Sequence, residues 1–341
     1  MTNQASLIPE KHAHVVLSDV ETPTPIDGQV LVKVDVIGFN PIEAKNQKFE
    51  VHPMPYPNNL GYSFAGTVQA VGPDITTIQV GDRLAILRGS QSVSPSFGSF
   101  QKFALAEVVY SSKLLPNTSS EAGAATILNL ATVVSVLSIH LGLDRPSLTG
   151  SVKPNDKKVL IYGGSSSSGG LAIKYASTAG YKVITTSSPQ NREFVQSLGA
   201  DYIIDHTATP DAISEEIRRQ GPYDYICDTI GLPPVTDIIA PYLASLGGGV
   251  YNSLIPPLPF DKPLPETVQR RFASYGHDFE AKENHDIGRW FFEEYLPKGL
   301  ESGLVVPTRH HVIEGGLPNV QYALDLINQG GVSGRKLIMY P

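Results

Sequence analysis

The chain of 341 residues has a single cysteine, Cys227. That excludes an intrachain disulfide framework and any cysteine-rich zinc site, and it fits a reducing compartment. It has no run of 18 or more apolar residues, so no transmembrane helix is expected. The first ten residues lack a charged segment followed by an apolar one, and the last five, Leu337 to Pro341, match no retention or lipidation signal. The expectation is a cytoplasmic protein. There is no basic run and the net charge is −7, which argues against nucleic acid or an anionic membrane surface as the main partner. Charged residues are only 17% against 41% hydrophobic, enough for a sizeable core and too apolar for wholesale disorder. No internal repeat or low-complexity tract is present. The length suggests two domains at about 100–200 residues each.

What is present is organised around residues 157–170. An apolar run, Val159 to Tyr162, ends in Gly163-Gly164-Ser165-Ser166-Ser167-Ser168-Gly169-Gly170. The small and apolar residues Leu171 to Ala176 then suit a helix packed on a sheet. Strand, tight turn and helix present backbone N–H groups to a phosphate. Before this stretch, up to about residue 125, β-branched runs such as Val30 to Val36 alternate with Gly, Pro and Asn punctuation, which predicts a small barrel or partly open β-domain. A long apolar helix is expected from Ala124 to Leu141. After the stretch, strands near 182–186, 202–204, 225–227 and 249–252 alternate with helices at 191–198, 211–220 and 235–246. That alternation predicts an α/β fold with a parallel, doubly wound sheet. A helix over 287–296, another over 319–328 and a strand over 336–340 complete the chain.

The usual dinucleotide fingerprint is G-x-G-x-x-G. Here it reads Gly163, Ser166, Gly169, with serine in the middle slot, and Ser165 to Ser168 add hydroxyls for phosphate oxygens. The end of the second strand selects the cofactor. NAD sites place an acid there for the ribose 2′-OH. This chain has Thr185-Thr186-Ser187-Ser188-Pro189-Gln190-Asn191-Arg192, with no acid. Hydroxyls, amides and an arginine suit a 2′-phosphate, so Ser187, Ser188, Gln190, Asn191 and Arg192 point to NADPH.

Several phrases then carry a resemblance that runs nearly end to end: Gly28 to Val34, Gly38-Phe39-Asn40-Pro41-Ile42-Glu43-Ala44-Lys45, Gly61 to Val68, Val80-Gly81-Asp82, Ala131-Thr132, Ser197 to Asp201, Asp224 to Asp228 and Gly331 to Lys336. The chain resembles the medium-chain dehydrogenase/reductase superfamily, in its zinc-free quinone-oxidoreductase branch. Tyr162 to Ser165 and Ser188 to Asn191 make it most similar to the fungal trans-acting enoyl reductases. The resemblance implies a GroES-like domain over residues 1–129 and 278–341, flanking a Rossmann dinucleotide-binding domain over 130–277. It also implies an active site to which both contribute. The Asn40 to Lys45 turn, with Pro41, is expected over the nicotinamide, Asn40 as a positioning group and Lys45 as a positive charge or proton source. Tyr62 is an alternative donor; Glu43 is expected to be structural. No tyrosine follows the turn near Phe49 to Pro53, and His52 is a weak substitute. The Thr132 hydroxyl is expected near the nicotinamide, with Leu128, Asn129 and Val133 lining the acyl or ring pocket. His206 is placed near the adenosine 2′-phosphate. Leu254 and Ile255 are expected to contact the nicotinamide through backbone groups, and Ser333 and Gly334 to close the site.

Zinc relatives carry cysteine in the slot of Asn40 and a His-Glu pair in those of Tyr62 and Ser63. None of these is present, and the remaining histidines show no paired ligand spacing, so no metal is expected. The expected activity is an NADPH-dependent, metal-free reductase passing hydride to the β-carbon of an α,β-unsaturated carbonyl compound or enoyl thioester. The alternatives are quinone or aldehyde reduction, and a catalytically weak NADPH-binding sensor or partner subunit. The expected partners are a small-molecule substrate and, on the enoyl-reductase resemblance, a synthase carrying the acyl chain. The expected state is a monomer or homodimer.

Overall fold

The computed structural model describes residues 2–149, 153–258, 261–330 and 334–341. It divides into two compact units, one of residues 1–128, 285–303 and 307–341, the other of 129–284 and 304–306. The return to the first unit thus falls at 284/285, where the sequence reading set it at 277/278.

In the first unit, β1 (Asn3–Leu7) and β2 (Val16–Val20) form an antiparallel pair. β3 (Gln29–Gly38) is the hub of the main sheet, because its β-branched residues Val30, Val32, Val34 and Val36 are buried. The segment after it, expected as a turn, is a helix, α1 (Pro41–Phe49). Asn40 takes extended N-cap geometry, Pro41 fills the first turn, and the Glu43 carboxylate accepts the Asn40 backbone N–H. The helix stops at Glu50, which lies in the left-handed region at φ 48°. Next come β4 (Ser63–Val71), β5 (Arg83–Leu87), β6 (Phe103–Glu107) and β7 (Ser111–Lys113). α2 (Ser120–Val134) takes the chain into the second unit and continues as a π-helical turn through His140. Its 21 residues reach the length and apolarity of a membrane span, which the run-length criterion missed; 67% of the apolar stretch is buried inside the protein, as in a core helix.

The second unit alternates strand and helix: β8 (Lys158–Tyr162), α3 (Ser167–Thr178), β9 (Lys182–Ser187), α4 (Arg192–Ser197), β10 (Tyr202–Asp205), α5 (Pro210–Gln220), β11 (Tyr225–Asp228), α6 (Pro233–Ser245), β12 (Gly249–Ser253) and β13 (Val268–Arg271). The sheet order is β10-β9-β8-β11-β12-β13, and all five pairings are parallel. This is the doubly wound Rossmann order, with its switch point between β8 and β11. Leu160, Ile184, Ile204 and Ile226 pack against Ile217 and Ile239 in its core. The sequence pattern did not signal β13; its Val-Gln-Arg-Arg run has one apolar side chain.

The chain re-enters the first unit through α7 (His285–Arg289), a π-helical stretch (Trp290–Tyr295) and α8 (Leu296–Ser302), one unbroken helical run that contains the helix expected over 287–296. β14 (His310–Val312), α9 (Val320–Asn328) and β15 (Lys336–Met339) close the fold. The barrel-like sheet runs β14-β15-β3-β4-β5-β7, with β6 on the other side of β3. Phe39, Phe64, Phe100 and Ile37 fill its core with Leu324 of α9.

Candidate functional site

The turn between β8 and α3 shows which glycines the fingerprint needs. Gly163 has φ +89°, a conformation that side chains rarely adopt. A Cβ on Gly169 would lie 2.1 Å from the Gly163 carbonyl oxygen. Ser166, in the middle slot, has φ −67° and needs no glycine; its hydroxyl caps α3 by accepting the Gly169 N–H at 2.9 Å. It also meets Thr229 Oγ1 at 3.0 Å, joining the ends of β8 and β11 across the switch point. The first-turn N–H groups of Ser167 and Ser168 lack an intrahelical carbonyl, as at any helix start. Ser168 Oγ accepts from Asn129 Nδ2 at 2.9 Å. Ser165 and Ser167 are half-buried, and their hydroxyls have no hydrogen bond among the described residues. The four serines therefore divide into two structural and two uncommitted ones. Gly164 packs over Thr185, whose Oγ1 lies 2.3 Å from the point a Cβ would occupy. This cradle of close backbone and open N–H groups fits a dinucleotide pyrophosphate. Ser166→Ala should cost about 1 kcal/mol in urea denaturation and Ser166→Gly only a few tenths.

At the end of β9, Ser187 and Ser188 are buried while Gln190 and Arg192 are exposed. Asn191 Nδ2 donates to Ser188 Oγ at 3.2 Å, and Arg192 Nη1 to the Ile203 carbonyl at 3.2 Å. His206 is exposed beyond β10. The strand register adds a residue that the sequence reading missed: Asp205 is the lateral partner of Ser187. Hydrogen bonds from Thr207, then the nearby charges of His206 and Arg192, hold its carboxyl below the usual range. β9 has no acid, but its neighbour supplies one beside it. The signal was a strand ending in Asp, legible only once β10 is known to lie next to β9.

At the carboxyl ends of β11 and β12, Asp228 Oδ1 accepts the N–H groups of Ile230 and Gly231, each at 2.9 Å. Leu254 and Ile255 are half-buried, and their N–H groups bond internally, to Asp228 O at 3.0 Å and Ser253 Oγ at 3.4 Å. Ile255 O accepts from Arg270 at 3.0 Å. Both backbone N–H groups are thus engaged within the second unit. Arg270, unforeseen from sequence, also bonds Gly231 O at 3.0 Å and Asp261 at 2.9 Å, tying the two loops together. Cys227 is fully buried, and burial pushes its thiol up.

On α2, Thr132 and Leu128 share a half-buried face, four residues apart. Val133, expected to line a substrate pocket, is fully buried. Asn129, expected to line the same pocket, is 9% exposed, and its amide serves Ser168 in the turn between β8 and α3.

In the first unit, Asn40 is 1% exposed. Its Oδ1 accepts from Lys336 Nζ at 2.6 Å, and its Nδ2 faces Glu43 Oε1, Gly38 O and Ser63 Oγ at 2.8, 3.0 and 3.1 Å. Asn40, expected as a positioning group, therefore lies behind the surface with its amide engaged on both sides. Pro41 is exposed at the helix start. Glu43 is fully buried and also accepts the Tyr62 N–H at 2.9 Å. Burial raises its carboxyl to about 7 against the pull of these bonds and of Lys336. Two polar groups remain open. Lys45 is half-buried, has no hydrogen bond or ion pair among the described residues, and is held below its ordinary pKa by desolvation. Tyr62 is half-buried with no described partner for its hydroxyl; burial keeps the phenol protonated, and the Arg88 guanidinium lies 5.6 Å from its ring. Arg88 is itself 8% exposed and anchored on the carbonyls of Asn59, Ser92 and Ser94. Gly334 precedes β15 at φ 62°, and Ser333 lies outside the described residues.

Residues 26–114 match the family described as alcohol dehydrogenase GroES-like domain, and residues 169–269 the one described as zinc-binding dehydrogenase. The chain belongs to the medium-chain dehydrogenase/reductase superfamily and is an oxidoreductase. Within it, the chain resembles the fungal trans-enoyl reductases. One from Aspergillus japonicus is 30% identical over 316 residues, covering 91% of this chain and 89% of that protein. One from Fusarium sp. strain FN080326 is 31% identical over 360 residues, covering 98% of each. A mycobacterial protein solved in complex with NADPH has a TM-score of 0.78 at 21% identity, covering 99% of this chain and 100% of that one.

The zinc in the second description does not fit this donor set. Among the described residues no group of three or more His, Cys, Asp or Glu is placed to hold an ion. Asn40 Nδ2 and Ser63 Oγ face each other at 3.1 Å, a donor and its acceptor.

Proposed function

We propose that the protein is an NADPH-dependent enoyl reductase that reduces the carbon-carbon double bond of an α,β-unsaturated carbonyl compound or acyl thioester. The nicotinamide cofactor supplies a hydride when bound. The turn at Gly163 to Gly169 receives its pyrophosphate, with Ser165 and Ser167 adding hydroxyls. Arg192 and His206, with Ser187, Ser188, Gln190 and Asn191 nearby, meet the 2′-phosphate, the positive charge of Arg192 opposing Asp205. Thr132 presents a hydroxyl, and Leu128 an apolar contact.

The chemistry falls to the open polar groups. Hydride addition at the β-carbon moves charge to the carbonyl oxygen, where a positive group or a hydrogen-bond donor lowers the barrier. Lys45 meets that charge, and Tyr62, kept protonated by burial, returns a proton to the α-carbon. The observation that carries this reading is Lys45: a half-buried ammonium without a described partner, held below its ordinary pKa. The relatives' enoyl-reductase names support the substrate class.

The test is NADPH oxidation against a 2-enoyl thioester, a simple enone, a quinone and an aldehyde. Turnover confined to the quinone or aldehyde overturns the substrate class. For the cofactor, Arg192→Ala should raise KM for NADPH about 10-fold and leave KM for NADH within twofold, since a charge-assisted contact contributes about 1.5–3 kcal/mol when buried and less when exposed, as here. Equal effects on both cofactors would remove Arg192 from 2′-phosphate recognition.

A further inference from the structure

The sequence reading set Glu43 aside as structural and gave Lys336 no role. The structure joins them. The antiparallel register of β15 on β3 pairs Ile338 with Gly38; two residues on, it sets Lys336 opposite Asn40 where β3 ends. The Phe39 N–H donates to Leu337 O at 3.0 Å, fixing that register. Lys336 is 4% exposed and Glu43 is fully buried, so opposite charges stand on two elements in the core with the Asn40 amide between them. Gly38 closes the arrangement, since a Cβ there would lie 2.4 Å from Ala124 O and 3.0 Å from Ser63 Oγ.

Charges buried in this way contribute little net stability against apolar replacements. Their effect here is geometric. Glu43 Oε1 takes the Asn40 amide and the Tyr62 backbone N–H, and its other oxygen takes the Asn40 backbone N–H. One carboxylate thus fixes the start of α1, which carries Lys45 two residues later, and the entry to β4, which carries Tyr62. Lys336 fixes the amide that orients this carboxylate.

We infer that Lys336, acting through Asn40 on Glu43, is the positioning residue that sets Lys45 and Tyr62 in register with each other. The inference rests on the reading of Lys45 and Tyr62 as the reacting groups. Glu43 faces Asn40, Lys336, Tyr62 and, at longer range, Arg88; its titration is set first by burial, then by Asn40, the Tyr62 N–H and Lys336. Burial raises Glu43 and lowers Lys336 to about 8, each opposed by the other's charge.

The test uses the full-length protein with Lys336→Met, Glu43→Gln and the double variant. Lys336→Met should lower kcat at least 10-fold while NADPH binding, read by fluorescence, stays within twofold. The limb of the kcat–pH profile near pH 7 should move to higher pH in Lys336→Met, which removes the cation that favours ionised Glu43, and vanish in Glu43→Gln. The double variant should be no slower than the worse single one. A purely structural role would move the urea midpoint and leave the pH limb in place, and that result overturns the inference. Multiplying effects in the double variant, or native kcat in Lys336→Met, also overturn it. If Lys45→Ala and Tyr62→Phe retain native turnover, the reading of those groups fails instead. The Lys336–Glu43 link is then judged by the pH limb: a limb that moves in Lys336→Met and vanishes in Glu43→Gln upholds it, and an unmoved limb overturns it.

Discussion

Replacing Gly169 with alanine is expected to weaken dinucleotide binding about 10- to 100-fold, whereas the same change at Gly170 leaves it within twofold. The new methyl at position 169 would lie 2.1 Å from the Gly163 carbonyl oxygen and 2.8 Å from its carbon. The carbonyl cannot swing aside easily: Gly163 is held at φ +89°, its N–H donates to Thr186 Oγ1 at 2.8 Å, and the next N–H donates to Thr186 O at 2.9 Å. The first turn of α3 must shift, and with it the N–H groups that would receive a pyrophosphate. Overpacking of this kind costs about 1–3 kcal/mol, and each 1.4 kcal/mol is tenfold in affinity. At Gly170 the nearest atom is the tip of the Leu198 side chain, 3.2 Å away, which can give way. Fluorescence titration with NADPH decides it. Equal effects at the two positions would show that the close approach at Gly169 is not what shapes the cradle.

Lys45→Ala is expected to lower kcat about 100-fold or more at pH 7, with little change in NADPH affinity. A group that stabilises the charge developing on a carbonyl oxygen contributes typically about 10²–10³-fold. Lys45 is a strong candidate because α1 holds it half-buried with nothing described to neutralise it. Tyr62→Phe is expected to fall in the same range if the phenol returns the proton. The two can be told apart by pH: burial lowers the lysine, so its loss should remove the alkaline limb of the kcat profile below the ordinary lysine range, while the tyrosine is raised and should leave that limb in place. A lysine variant with native kcat and an unchanged profile would remove it from the mechanism. Substrate rates should be taken from single-turnover traces, so that slow product release does not mask the chemical step.

The α/β architecture and the position of the phosphate turn were legible in local sequence. A strand, a glycine turn and a helix are consecutive in the chain, and their hydrophobic periods and punctuation are local signals. The absence of an acid in β9 and of metal ligands in the slots of Asn40, Tyr62 and Ser63 was equally readable. Local sequence did less well wherever a side chain's partner lies far along the chain. Ser166 read as a departure from a glycine pattern, and only its backbone angles show it to be a helix cap. Asn40 read as a positioning group, but the residue that holds its amide, Lys336, lies 296 residues later. Asp205 came to lie beside Ser187 through sheet order, and Arg270 reached two loops from a strand that its own sequence did not announce.

The sequence by itself determined the family, the doubly wound sheet and the phosphate cradle, because each is written in residues that are neighbours in the chain. The tertiary structure decided which of the named polar groups are free to react. Freedom depends on whether a side chain's hydrogen-bonding capacity is already used, and strands and helices brought together from distant segments supply those partners. For Asn40, Asn129 and Val133, packing supplied burial and partners that their neighbours in the chain do not announce. For Lys45 and Tyr62 it left open polar groups at the edge of a buried, charge-bridged scaffold.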